Sequence, residues 1–290
     1  MVIDMKKKTK IFTVVLALLI VLSAVAGIIY KEIFGYKVIL PKETHSISES
    51  NIQDLSEFKM IAHRGFSAIA PENTLPAFEE ACKNGFYGVE FDIHLSKDGE
   101  WFVIHNDSVK NMTGKSGKIS EMTAQEIKAL DIINGANIEK YENVKIPTLE
   151  ETLELISNYD IVPVIEIKTK TDSKTDELMA LLEKYGLTEK TWIISFNEEP
   201  LKTIKKINND MKISYLVNAV KNVDIELVLR NGFTGISFNH KKVKEGDVKK
   251  IIDADLVPQA WTVDDLAQFE RFADCGVRLF TGNCLTPERG

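Results

Sequence analysis

At 290 residues, 44% of them hydrophobic and 27% charged, the chain is long enough for one large α/β domain of barrel size plus a small appendage. A net charge of -7 excludes a protein built to grip a phosphate backbone, because nucleic-acid binders carry a basic face. Three cysteines, Cys82, Cys275 and Cys284, make no disulfide framework and match no zinc spacing, so they read as small core residues.

The chain opens on Lys6, Lys7, Lys8 and Lys10, followed by an uncharged run from Ile11 to Tyr30 that Lys31-Glu32 closes. About twenty helical residues at about 1.5 Å each cross the roughly 30 Å hydrocarbon core. The pattern predicts a cytoplasmic segment over 1–10 and a transmembrane helix over 11–30. The basic flank stays inside, which places everything after Lys31 outside the cytoplasm as a single-pass cell-membrane protein. Ala24-Val25-Ala26 offers the alternative of a cleaved signal and a secreted product. The anchor is preferred, since the apolar run continues through Ile28 and Ile29. Residues 31–58 read as a juxtamembrane linker, with a short amphipathic helix over Ser48 to Phe58, and 59–290 as the main domain.

From Lys59 onward short β-branched runs alternate with helix-like segments. The runs are 60–62, 88–92, 161–167, 192–196, 213–217, 235–238, 256–263 and 277–281. Between them lie Pro76 at a helix start, capping boxes at Thr123-x-x-Glu126 and Thr148-x-x-Glu151, and Asp264 as the cap of a helix ending at Gly276. Strands alternating with helices imply a parallel sheet, and eight of them imply a TIM (β/α)8 barrel with its site at the C-terminal mouth. Trp101 to His105 breaks the alternation. It follows the second strand after only Ser96-Lys97-Asp98-Gly99, too short for a parallel crossover, so it is a β-hairpin insertion after strand 2. Centring the turn between Lys97 and Asp98 sets Glu90 opposite His105.

Chemistry gathers at the ends of these runs. Glu90 and Asp92 share one strand face, since side chains alternate with period two. Glu166 joins them from another strand. Oxygen donors alone suit a hard cation, Mg²⁺ or Ca²⁺, rather than zinc. Lys168 shares the face of Glu166 and suits a phosphate as a point charge. His63 closes the first strand, before Arg64, whose planar fork can hold two phosphoryl oxygens. With His105 it makes an imidazole pair able to act as general base and acid near neutral pH. His94 lies farther up the hairpin at the rim, while His240 reads as surface and His45 as linker.

His63-Arg64-Gly65, Glu72-Asn73-Thr74, Glu90-x-Asp92, Lys97-Asp98-Gly99, His105 and Glu166-Ile167-Lys168 together resemble the glycerophosphodiester phosphodiesterase family over about residues 59–287. The resemblance implies a TIM barrel with one divalent cation, Mg²⁺ or Ca²⁺, held by Glu90, Asp92 and Glu166. It implies His63 and His105 as the acid/base pair and Arg64 and Lys168 as phosphate ligands. Glu72 would be a near-site carboxylate and Trp261 a contact for glycerol. The expected substrate is a glycerophosphodiester, cleaved to glycerol 3-phosphate and an alcohol, or a lysolipid. The alternatives are a phospholipase-type lyase or a lysophospholipase D on the same barrel. Two departures stand out. The family has His-Asp where this chain has His105-Asn106 followed by Asp107, and Thr-Asp-x-Pro where it has Thr281-Gly282-Asn283-Cys284. The chain stops at Gly290, leaving a gap where a last barrel helix would lie, and Ser48 to Phe58 is expected to cover it.

Overall fold

The computed structural model describes residues 36–170 and 172–288. The basic segment 1–10 and the apolar run 11–30 lie outside them, and no helix among the described residues is long and apolar enough to cross a membrane. Eight strands run parallel: β1 (Lys59–Ala62), β2 (Gly88–Leu95), β4 (Val162–Ile167), β5 (Trp192–Ser195), β6 (Lys212–Val217), β7 (Gly235–Asn239), β8 (Val257–Trp261) and β9 (Leu279–Gly282). β9 pairs with β1 and β1 with β2, which closes the barrel. Helices α1 (Leu75–Lys83), α2 (Leu149–Ser157), α3 (Thr175–Lys184), α4 (Glu198–Ile207), α5 (Asn222–Arg230), α6 (Glu245–Asp253) and α7 (Leu266–Asp274) return the chain between strands.

Strand periodicity divides the core into two layers. Val89, Phe91 and Ile93 of β2 face outward into the strand–helix layer, where Phe91 meets Phe78 of α1 at 5.5 Å between ring centroids. Ile61, Val164, Trp192, Ile194 and Leu216 face inward and pack as a separate lumen cluster. Glu90 and Asp92 point the same inward way, near the C-terminal end of their strand, so alternation puts both acids at the mouth. Parallel pairing sets Asp92 beside Glu166 and Glu90 beside Val164. Close strand approach demands glycine at Gly235 and Gly282, where a Cβ would lie 2.2 Å from the carbonyl oxygens of Val257 and Val263.

β3 (Trp101–Val103) is the antiparallel return of the hairpin, with Ile93 opposite Val103. The register is one residue away from the expected one. Ser96 N donates to Glu100 O across a turn whose Gly99 has φ +88°, so the loop is centred on Asp98. Continued strictly, that register would aim His105 away from Glu90. The ladder instead stops after Ile104 N donates to Asp92 O, and His105 turns inward from the loop beyond.

Two helix assignments also shift. The cap of α7 is Asp265, which accepts from Gln268 N, rather than Asp264. Ser48 to Phe58 forms no amphipathic helix: a 3-10 turn over Ile47–Glu49 gives way to an extended, irregular path. That path still packs on the core beside α7. Ile47 is buried, Ile52, Leu55 and Phe58 pack on the core, and Phe58 meets Phe269 edge-on at 5.1 Å. His45–Ser46 pairs in parallel with Leu285–Thr286. Ile47→Ala is expected to cost about 2–5 kcal/mol, read as a Tm drop of about 4–20 °C. An unchanged melt would show that this segment contributes nothing to the core.

Candidate active site

The first turn of the site is built where β1 ends. Arg64 (φ +57°) and Gly65 (φ +75°) are both left-handed, and a Cβ on Gly65 would meet Ala77 of α1 at 2.7 Å. Only glycine fits there, while Arg64 holds a conformation that costs a non-glycine residue about 1–2 kcal/mol. The turn is stabilised by the acid beside it: Arg64 N donates to Glu90 Oε2 at 2.9 Å and Gly65 N to Glu90 O at 3.1 Å. A positive backbone dipole is thereby fixed on one carboxylate of the cluster.

Glu90, Asp92 and Glu166 are buried, and one carboxylate oxygen from each lies within 4.8 Å of the others. Burial raises Glu90 well above its ordinary pKa, with Asp92 and Glu166 adding repulsion. Burial, again with Asp92, raises Glu166 to about 7. Burial acts against Asp92 too, but Lys168 and Arg64 outweigh it and hold that carboxyl below its usual range. Lys168 Nζ donates to Glu166 Oε1 at 2.8 Å. It also lies 3.1 Å from Asp92 Oδ1, without the direction of a hydrogen bond, so this buried oxygen has no proper donor. Three crowded carboxylates with an undersupplied oxygen fit a hard divalent cation. Oxygen-only donors do not distinguish Mg²⁺ from Ca²⁺.

Burial, seconded by Arg64, lowers the pKa of His63 to about 3. Burial also lowers His105 to about 4, and Arg64 and Lys168 push in the same direction. Both imidazoles are therefore neutral at pH 7. His63 Nε2 is 3.9 Å from Glu90 Oε2. Its Nδ1 is 2.8 Å from Asn283 Oδ1, and Asn283 Nδ2 donates to Asp264 Oδ2 at 2.7 Å. The carboxylate of Asp264 can only accept, so it fixes the amide orientation, and the amide oxygen requires the proton on His63 Nδ1. That leaves Nε2 as the lone-pair nitrogen facing the acids. Asn106 follows His105 in place of the expected aspartate. Asp107 does not substitute for it, being engaged by Ser120 N and Oγ. The carbonyl of His105 accepts from His94 Nε2 at 3.1 Å, which ties the rim histidine to the same loop.

Each residue singled out from the sequence lies at this mouth. His63, Arg64, Glu90, His105, Glu166, Lys168 and Trp261 line one cavity of about 200 Å³, and Asp92 lies directly behind them. Its other wall is apolar, formed by Ile194, Leu216, Phe196 and Trp261, with Phe196 edge-on to Trp261 at 5.8 Å. Glu72 stands outside the cavity lining and clamps Arg64 Nη1 at 3.1 and 3.2 Å, so it positions the guanidinium. His240 is buried rather than on the surface, packed edge-on against Phe272. Asn73 and Asn283 gained no role from sequence, and Asp264 gained only that of a helix cap. Asn73 (φ +55°) donates to Asp92 Oδ2 at 2.8 Å, while its Oδ1 accepts from Asp92 N at 3.2 Å. Its place between Glu72 and Thr74 was a usable signal. Asp264 and Asn283 offered none, because only barrel closure brings them to His63.

The profile of the "Glycerophosphoryl diester phosphodiesterase family" matches residues 63–283. A glycerophosphodiester phosphodiesterase of Caldanaerobacter subterraneus subsp. tengcongensis is 35% identical over 226 residues, covering 75% of this chain and 90% of that protein. One from Bacillus subtilis is 28% identical over 252 residues, covering 79% and 85%. An Oleispira antarctica phosphodiesterase, solved in complex with the product sn-glycerol-3-phosphate, superposes with a TM-score of 0.72 at 26% identity. That match covers 78% of this chain and 92% of the other.

Proposed function

Since the chain belongs to the glycerophosphoryl diester phosphodiesterase family and is a phosphoric diester hydrolase, we propose that its mouth cleaves glycerophosphodiesters to glycerol 3-phosphate and an alcohol by divalent-cation and histidine chemistry. The observation that carries this reading is the meeting of three buried acids with two neutral imidazoles around one cavity. Glu90, Asp92 and Glu166 are the residues to hold the cation, Mg²⁺ or Ca²⁺. When bound, it supplies Lewis-acid polarisation of the phosphoryl oxygen. With the acids committed to it, Arg64 and Lys168 are the positive groups left for the diester oxygens. His63 Nε2, its other nitrogen protonated toward Asn283, takes the proton from the attacking oxygen, either water or the adjacent glycerol hydroxyl. His105, neutral before substrate binds, is favoured to take up a proton by the negative charge the diester brings, and returns it to the leaving alkoxide as the P–O bond breaks. Trp261 and Phe196 form the apolar wall for the glycerol carbons.

The Asp264–Asn283–His63 chain makes Asn283 a positioning residue. Asn283→Ala is expected to lower kcat by roughly tenfold to hundredfold with KM little changed, because a mis-set imidazole loses orientation rather than binding. Equal kcat in the two proteins would remove the role. The function itself is tested by phosphorus NMR of glycerophosphocholine with Mg²⁺, with Ca²⁺ and with chelator. Glycerol 3-phosphate should accumulate in at least one cation and not in chelator; a persisting cyclic phosphate would point to a lyase instead.

The run Ile11–Tyr30 is further proposed as a single-pass anchor that holds the barrel outside the cytoplasm, with signal cleavage after Ala26 as the alternative. Retention of the chain in membranes after an alkaline carbonate wash supports the anchor, and a mature N-terminus near Gly27 supports cleavage.

A further inference from the structure

We propose that the mouth end of the barrel docks on an anionic lipid bilayer, through the arc of rim made by the loops after β4, β5, β6 and β7. Two apolar side chains stand in solvent on this arc. Phe196, directly after β5, is 39% exposed, and Val223, in the first turn of α5, is 60% exposed. A barrel helix begins where the preceding strand ends, so the first turn of α5 lies at the mouth. On the same arc stand the exposed lysines Lys170, Lys221, Lys241 and Lys242. The acids on the same loops are engaged elsewhere: Asp224 accepts from Lys221 N, Asp172 from Thr203 Oγ1, Glu198 pairs with Lys202 and Arg230, Glu199 with Lys202, and Glu245 with Arg271. In a chain of net charge -7, these four exposed lysines take no part in the ion pairs found among the described residues, which leaves their charge available to an anionic surface. Three loops at the opposite end of the barrel carry Asp160, Asp210 and Asp255 instead. Lysines beside solvent-facing aromatic and aliphatic groups fit the headgroup layer, where each ammonium meets lipid phosphate and each apolar side chain enters the acyl boundary.

The path of the polypeptide points the same way. Asn134 Nδ2 donates to Lys37 O at 2.7 Å, Ile39 N donates to Asn134 Oδ1 at 2.9 Å, and Lys42 N donates to Ala68 O at 2.9 Å. Asn134 belongs to the segment that follows the hairpin and Ala68 to the loop after β1, so the chain joins the domain at the mouth end. The apolar run Ile11–Tyr30 is attached there, and this part of the argument rests on its being a membrane anchor. Leu40 (65% exposed) and Ile133 (46% exposed) lie beside the join.

The test uses the full chain on vesicles of phosphatidylglycerol or of phosphatidylcholine, with an environment-sensitive fluorophore on Val223→Cys or on Leu229→Cys. Leu229 is 51% exposed at the far end of α5, and the unsubstituted chain, labelled in parallel, measures the contribution of the native thiols. The label at 223 is expected to shift to the blue on phosphatidylglycerol and to be quenched by brominated lipid, while the label at 229 stays solvent-like. Adding Lys241→Glu and Lys242→Glu should weaken the docked population by roughly fivefold or more per lysine, since each contributes about that factor near an anionic surface. A label at 223 that behaves like the one at 229, or shifts equally on phosphatidylcholine, overturns the proposal. A carbonate wash of the same vesicles reports the anchor separately. If the chain washes off, the anchor reading fails, while the label read before the wash still decides whether the rim docks.

Discussion

In excess chelator, turnover of glycerophosphocholine is expected to fall by roughly 10³-fold or more, because polarising and neutralising a phosphodiester is a contribution of several kcal/mol. Asp92→Asn should come close to the same loss with added cation, since Asp92 is the acid that stays ionised among the three. The affinity should depend on pH in a definite direction. Glu166, raised to about 7, and Glu90, raised well above its ordinary value, hold protons that a cation must displace. Binding therefore tightens as pH rises toward about 7 and weakens as pH falls, by about tenfold per unit for each proton displaced. Isothermal titration calorimetry at pH 5.5, 6.5 and 7.5 measures this without assaying activity. Affinity that is flat over the range would mean that the cation does not sit among these carboxylates.

The second large effect concerns the imidazoles. His63→Ala and His105→Ala are each expected to lower kcat by about 10²–10⁴-fold, the usual size of a proton-transfer contribution. Far-ultraviolet circular dichroism and the melting curve should show the fold intact, since both rings border an open cavity rather than filling the core. The double variant should lose less than the product of the two factors, because the residues serve one step and act as a unit. Wild-type turnover in either single variant would end its assignment.

Pairing each histidine with its partner shows what a local pattern can and cannot reveal. The strand runs could be read because β-branched residues cluster between glycine- and proline-bearing turns, and β2, β4 and β6 lie within a residue or two of their expected starts. The inward pair Glu90 and Asp92 could be read because strand alternation is strictly local. The hairpin was visible from the shortness of its connection, but not its register, since a one-residue difference in turn centre is decided by how Ser96, Asp98 and Gly99 hydrogen-bond. The cap of α7 was displaced for the same kind of reason: two adjacent aspartates can each cap, and Asp264 was drawn to Asn283 by the closure of the barrel.

By itself, then, the amino-acid order determined the barrel, the inward acids and the residue types of the reaction, because each depends on period, spacing and side-chain chemistry within a few neighbours. The tertiary structure alone decided which nitrogen of His63 carries the proton, that Glu72 serves Arg64, that Asp107 is engaged by Ser120, and that 47–58 packs on the core against α7. Those outcomes join groups up to about 220 positions apart in sequence. Contacts of that separation are set by ring closure and packing, which no local pattern encodes.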